Sequence, residues 1–442
     1  MSKRSTNLNA ATSAAIAATL SISLAPAAAR AADVLIDNGR LHLLTGADHG
    51  DVLATGDILV RDGRIVEVAA EIPAPDGASV IDASGSIVTP GFIAAWSQIG
   101  LVEIGLDAEA NDASPEGPFA LSAALDARDA FNSASTLIPI SRAGGITRAL
   151  SAPTPGAKMF GGQAAIVALD GDPATSIVRG GAAQSVVLGY GGAARAGDTR
   201  MGAWGELRAY VAEARAFAVD PESYRGRTID LARFSLADLE ALRPVISGEQ
   251  LLIAQVHGAA EIRTLLRFAA TEKIKVAILG GDEAWVVADE IAAAGAPVIL
   301  DPLSNLPGNF HRLGATLENA ARLQAAGVKI AFEAPGTHNL RLLPQSAGNA
   351  VANGLPFEAA LAALTINPAE ILGIGSEVGT IEPGKIADLV IWNGDPLELS
   401  SRPTAVLING EPQSLETRST KLRDRYADPK PSARPLAYPA DE

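Results

Sequence analysis

Between residues 33 and 87 hydrophobic and polar positions alternate in short runs divided by turn-forming pairs. Val34-Leu35-Ile36 leads to Asn38-Gly39, Asp57-Ile58-Leu59-Val60 leads to Asp62-Gly63, and Arg64-Ile65-Val66-Glu67-Val68 follows at once. Asn-Gly and Asp-Gly accept positive φ and so close tight hairpins, which predicts an antiparallel β module here. The same grammar returns from Gly379 to Trp392 and from Ala405 to Gly410. Strands at opposite ends of a chain can pair, so residues 32–88 plus 379–416 are expected to form one small composite β-sandwich.

The central pattern differs, and residues 89–378 are expected to form a second domain. Short buried-strand candidates (146–150, 185–188, 251–254, 276–279, 297–300 and 328–332) alternate with amphipathic stretches such as 260–270, 284–294 and 316–326. That alternation is the signature of a parallel sheet with crossover helices. At this length a (β/α)8 TIM-type barrel is favoured over an open doubly wound sheet, and no glycine-rich dinucleotide fingerprint follows the first strand. The expected fold class is therefore α/β, a barrel with a β-sandwich built from both chain ends. Residues 417–442 read as a tail, a surface helix turn and then a proline-rich disordered end.

The first 31 residues read as a leader. Lys3 and Arg4 precede an alanine-rich apolar stretch, and Ala29-Arg30-Ala31 fits a small-x-small cleavage site. A cleaved signal peptide and a periplasmic location are expected. No later stretch approaches the roughly 20 apolar residues that cross a bilayer. The chain of 442 residues has a net charge of −15 and no cysteine. The charge and the low aromatic content argue against nucleic acid as a partner. Without cysteine there is neither a disulfide framework nor a thiolate ligand, which leaves His, Asp, Glu or a modified Lys for any metal.

Several words occur in order along the chain: Pro90-Gly91-Phe92-Ile93-Ala94-Ala95-Trp96-Ser97-Gln98, Val102 to Asp112, Gly161-Gly162-Gln163, and Thr199-Arg200-Met201-Gly202. Glu283-Ala284-Trp285, Thr365-Ile366-Asn367-Pro368-Ala369 and Glu382-Pro383-Gly384-Lys385 through Val390 follow. Together they resemble the amidohydrolase superfamily, nearest to its exported imidazolonepropionase-like members. The resemblance implies metal-assisted hydrolysis of a C–N bond, with ligands at the C-terminal ends of the barrel strands.

Carried over residue by residue, the resemblance implies a degenerate metal site. The family word PGFIDAHSH places its two histidines on Trp96 and Gln98. Indole offers no lone pair and a neutral amide is a poor ligand for zinc. The word after strand five retains His257 but has Gln255 as its partner. The histidine after strand six falls on Gly280 and the aspartate of strand eight near Pro335, and no lysine lies between Lys158 and Lys273 to supply a bridging carbamate. The zinc or other divalent ion of the family is therefore expected to be lost, leaving no cofactor.

The remaining chemistry divides between two readings. His257 and Glu333 are the catalytic candidates: His257 as a general base or as a hydrogen-bonded pocket residue, Glu333 as a displaced acid–base carboxylate or as a pocket group paired with Arg341 or Lys329. Trp96, Gln98, Gln255, Gly280, His338 and Arg341 are the expected ligand-pocket residues. His42, His49 and His311 are read as structural or loop histidines, and Gly189-Tyr190-Gly191-Gly192 as a loop over the mouth or an anion cradle. The leading expectation is a non-catalytic periplasmic binding or partner subunit, working with an intact amidohydrolase paralogue or by self-association. The alternatives are a hydrolase of small amides or peptides rebuilt on His257, Glu333 and Asp301, and a binding protein for a small amide or peptide ligand.

Overall fold

The computed structural model describes residues 33–46, 48–115, 117, 121–224, 235–333 and 336–427. The leader through Ala31, the proline-rich end beyond Ala427 and the position of Pro335 lie outside the described residues.

Strands from both ends form the first sheet: β1 (Val34–His42), β2 (Val52–Arg61), β3 (Arg64–Ala69), β4 (Ser79–Asp82) and β5 (Ile87–Pro90). They are joined by β14 (Leu389–Trp392), β15 (Pro403–Ile408) and β16 (Glu411–Pro412). The order is β16-β15-β14-β5-β1-β2-β3, with β4 beside β1. Asp62 and Gly63 both take positive φ in the β2–β3 turn, as the Asp-Gly pair requires. Val34, Ile36, Ile58, Val60, Val88, Leu389 and Ile391 form this sheet's core. Thr89 and Pro90 pair with β14, so the sheet runs slightly past the boundary expected at residue 88, and the barrel starts only at Phe92.

The second sheet runs β6 (Phe92–Ser97), β7 (Ile146–Ser151), β8 (Phe160–Ala168), β9 (Ile177–Val187), β10 (Leu251–Val256), β11 (Val276–Gly280), β12 (Val298–Leu300) and β13 (Ile330–Phe332). β13 comes back beside β6, so the eight strands nearly close a barrel. One strand departs from the (β/α)8 expectation: β8 is antiparallel to both β7 and β9. It makes a meander where a helical crossover was expected between the strands at 146–150 and 185–188, and the Gly161-Gly162 pair in its first half reads as a turn in sequence. Gly161 is obligatory, since a Cβ there would meet the Pro153 carbonyl at 2.6 Å.

Alanine abundance finds its use inside this barrel. The lumen is filled by Ile93, Ala95, Leu150, Ala164, Ile166, Ala183, Ile253, Ala277, Leu279, Ile299 and Ala331, small and branched side chains that fit a narrow interior. A larger core lies between the strands and the surrounding helices. Helix Ala259–Glu272 buries Ile262, Leu265, Leu266 and Phe268 at helical spacing and ends at Lys273 in the left-handed region. Among the described residues no helix is long and apolar enough to cross a membrane.

A polar joint ties the sheets together. Arg148 on β7 donates from Nε to Asp388 Oδ2 at 2.6 Å and from Nη2 to Asn409 Oδ1 at 2.8 Å. Both partners of the ion pair are almost wholly buried. Trp392 packs on Phe92 and donates its indole N–H to Thr89 Oγ1 at 3.0 Å. The Asp388-Leu389-Val390 word thus supplies both the joint and a sheet strand.

Candidate functional site at the barrel mouth

The residues that follow β10 to β13 carry the chemistry. His257 follows β10, Asp282 follows β11, Asp301 follows β12 and Glu333 follows β13. Gly280 and Gly281 turn the chain with φ of 90° and 59°, which brings the Asp282 carboxylate toward His257. The turn is locked by Gly281 N–H on the Val256 carbonyl at 2.8 Å and Glu283 N–H on the His257 carbonyl at 3.0 Å.

His257 Nδ1 lies 2.7 Å from Asp282 Oδ2, and Arg312 Nε lies 3.0 Å from the same oxygen. Neither contact has hydrogen-bond geometry, so Arg312 acts on that oxygen as a close charge and His257 as a close imidazole dipole. An Arg312 Nη2 donates to His257 Nε2 at 2.9 Å. Guanidinium can only donate, so Nε2 is the acceptor and the ring proton sits on Nδ1, facing Asp282. Both nitrogens of His257 are engaged. The loop that carries Arg312 is fastened by Gly314, whose N–H reaches Glu283 Oε1 at 2.9 Å and whose carbonyl accepts from Trp285 Nε1 at 2.7 Å.

Gly280 explains where His257 sits. A Cβ added there would stand 2.4 Å from His257 Cε1, so the imidazole fills the space that a side chain at this strand end would occupy. Gln255 is partly buried at the end of β10, two positions before His257.

Glu333, Trp96 and Gln98 share a cavity of about 180 Å3 with Thr337 and Leu340. Gln98 Oε1 accepts from Thr337 Oγ1 at 3.0 Å. Trp96 is partly buried and packs against the lumen core. Glu333 is pushed up to about 8, by burial first and then by the charges of Asp301 and Asp282, with Arg312 opposing. It lines the cavity but is walled in by protein, so its charged form is poorly solvated. Asp301 is also raised, by burial and by Asp282, against one hydrogen bond from the Leu303 N–H. Burial opposes ionisation of Asp282 as well, but the close His257 imidazole, a hydrogen bond from Ser304 and the charge of Arg312 hold it below the usual carboxylate value. The mouth thus keeps one carboxylate ionised and another protonated near neutral pH.

Other expected residues lie elsewhere. His338 is exposed and contacts the Glu103 carbonyl through Nε2 at 2.8 Å. Arg341 donates to the His338 carbonyl at 3.0 Å and lines a separate cavity of about 390 Å3 with Gly144 and Trp392. The expected pairing of Glu333 with Arg341 or Lys329 is corrected: Lys329 pairs with Glu370, and the charge that opposes the Glu333 shift is Arg312. The Gly189 loop is corrected too, forming a short helix, Gly189–Ala193, with Tyr190 stacked on His311 at 3.7 Å. His42 is buried beside Phe357, and His49 contacts the Leu44 carbonyl. Sequence reasoning gave no role to Asp282, Arg312 or Thr337. Gly280-Gly281-Asp282 carried a signal, a carboxylate aimed by two glycines at a strand end; Arg312 carried none, because its loop is placed by contacts distant in sequence, with Glu283, Trp285 and Tyr190.

This donor set does not fit a divalent ion. The Trp96 indole has no lone pair, Gln98 Oε1 is occupied by Thr337, Gly280 has no side chain, and His257 Nε2 is capped by Arg312. Among the described residues no group of three or more His, Cys, Asp or Glu side chains converges to hold a metal.

Comparison with known proteins places the architecture in a family. Residues 258–415 match the model of the amidohydrolase family. An imidazolonepropionase of Acidiphilium cryptum is 29% identical over 385 residues, covering 78% of this chain and 89% of that protein. An imidazolonepropionase of Aromatoleum aromaticum is 45% identical over 113 residues, 24% of this chain and 26% of that protein. The crystal structure of an amidohydrolase from Thermotoga maritima superposes with a TM-score of 0.75 at 28% identity, over 86% of this chain and 99% of that one. A barrel, a terminal sheet built from both ends and likeness across nearly the whole length of the Acidiphilium and Thermotoga proteins lead to one conclusion: the chain has the amidohydrolase fold and resembles the imidazolonepropionases of that superfamily.

Proposed function

We propose that the barrel mouth binds a small amide or peptide without metal-dependent hydrolysis, and that the protein serves as a non-catalytic binding subunit of its family. The observation that carries this reading is Arg312: its guanidinium lies 2.9 Å from His257 Nε2 and 3.0 Å from Asp282 Oδ2. A fixed organic cation there supplies positive charge to the mouth but has no open coordination site to bind or ionise water. Beside it, the cavity lined by Trp96, Gln98, Glu333 and Thr337 offers an aromatic face and neutral hydrogen-bonding groups suited to an amide. Export to the periplasm, and assembly with an intact paralogue or a second copy, belong to the same proposal.

Metal content, turnover and ligand stabilisation of the protein purified from the periplasm test it together. The expected outcome is well under one transition metal per chain and no turnover of dipeptides, N-acyl amino acids or cyclic amides with added Zn2+, while one of these raises Tm. Ligand at about 100 times Kd would add about 2.7 kcal/mol. One metal per chain together with turnover would overturn the reading. Export predicts a mature N-terminus at Ala32 or Asp33 in the periplasmic fraction; an intact leader on cytoplasmic protein would refute that part.

A second reading rests on Glu333. A carboxyl raised to about 8 can donate a proton near neutral pH, so a rebuilt hydrolase would use Glu333 as general acid and His257 as base. It requires Arg312 to leave His257 Nε2 when substrate binds. Under it, Glu333→Gln and His257→Ala each abolish a turnover that the wild type must first show; a wild type without turnover rules it out.

A further inference from the structure

A second recess lies outside the barrel mouth, between helices Arg200–Val219 and Ala259–Glu272. It has a volume of about 360 Å3, with Arg200, Arg208 and Glu261 supplying charge and Trp204, Met201 and Thr264 completing the lining. Glu261 is 4% exposed, and its Oε1 has no hydrogen-bond partner. The nearest cation, Arg200 Nη1, stands 3.7 Å from that oxygen, beyond hydrogen-bonding distance. Leaving a buried carboxylate oxygen without a partner is costly, so the acceptor is available to a donor that enters the recess.

Arg200 is held in place from behind. Its guanidinium stacks over Tyr190 at 5.0 Å from the ring centroid, and Tyr190 stacks in turn on His311. Arg208 is exposed two turns further along the same helix face. Trp204 is buried beneath, whereas Met201 is 82% exposed at the rim, an apolar floor and lip between charges of both signs.

We propose that this recess binds the zwitterion of an apolar α-amino acid. The ligand ammonium donates to Glu261 Oε1, its carboxylate accepts from Arg200 and Arg208, and its side chain lies on Trp204 and Met201. The opened Arg200–Glu261 pair presents both charges side by side, complementary to the adjoining ammonium and carboxylate of an amino acid. A phosphate would meet the Glu261 carboxylate, and a simple cation would meet two guanidinium groups. The site is separate from the barrel mouth, and the proposal stands whether or not that mouth binds an amide.

Calorimetric titration of the mature protein with L-phenylalanine and L-methionine tests it. Saturable one-to-one binding is expected, weakened at least about tenfold when the ammonium is capped in N-acetyl-L-phenylalanine or the carboxylate in L-phenylalaninamide. Arg208→Gln, an exposed change that leaves folding intact, is expected to weaken L-phenylalanine by a similar factor; Glu261→Gln should weaken it while sparing N-acetyl-L-phenylalanine. No saturable binding of either amino acid at about 10 mM, binding unchanged by Arg208→Gln, or equally tight binding of inorganic phosphate would overturn the proposal.

Discussion

Glu333 shows how a single side chain takes its properties from placement. In sequence it is one glutamate after an apolar strand; in the fold, burial and the carboxylates of Asp301 and Asp282 raise it to about 8 from its ordinary value of 4.5. Between those values the native state keeps a proton that the unfolded chain has released, so rising pH favours unfolding, and above about 8 the effect levels off. Glu333→Gln mimics the protonated form. Its Tm should therefore match wild type near pH 4.5 and exceed it by a growing margin up to pH 8. A margin that does not change with pH would show that Glu333 ionises normally. His257 was legible as a strand-end histidine, but its engagement by Asp282 and Arg312 was not, since those partners lie 25 and 55 residues away in the chain.

At the scale of elements, the end of β11 decides the shape of the mouth. Gly280 is constrained twice, by a φ of 90° and by the imidazole 2.4 Å from where a Cβ would be. Gly280→Ala should cost about 1–3 kcal/mol for backbone strain plus the clash. In a His257→Ala background the clash disappears and only the strain remains, so denaturant unfolding should give a clearly non-additive double-mutant cycle. Strict additivity would mean that the ring does not occupy that space. The strands themselves were largely readable, because a continuous apolar run such as Val276-Ala277-Ile278-Leu279 marks a strand buried on both faces. β8 was not: Ala164-Ala165-Ile166-Val167-Ala168 is an apolar run, but the Gly161-Gly162 pair in its first half reads as a turn, and its reversed direction depends on pairing with β7 and β9.

For the whole molecule, the joint between the two sheets is the element most exposed to a single change. Arg148 and Asp388 are both about 2–3% exposed in their side chains, so Arg148→Met leaves a buried charge without its partner. That should cost about 3–5 kcal/mol. Calorimetry is expected to show one transition moved to lower temperature, since the terminal sheet and barrel meet through this pair and the Phe92–Trp392 contact. An early transition followed by unchanged melting of the barrel would show that the two sheets unfold independently.

The sequence by itself determined the α/β barrel, the pairing of the chain ends and the family resemblance, because these follow from periodicity, turn chemistry and words that are local along the chain. It also determined which residue types stand at the strand ends, Trp96, Gln98, Gly280 and His257 among them. Tertiary structure alone decided what those residues meet. Arg312 reaches His257 from a loop fastened by Glu283 and Trp285, Glu333 is raised by carboxylates from two other loops, and Arg341 turns away to a different cavity. The physical reason is range: hydrophobic patterning acts between neighbours in sequence, whereas charge and desolvation act between neighbours in space.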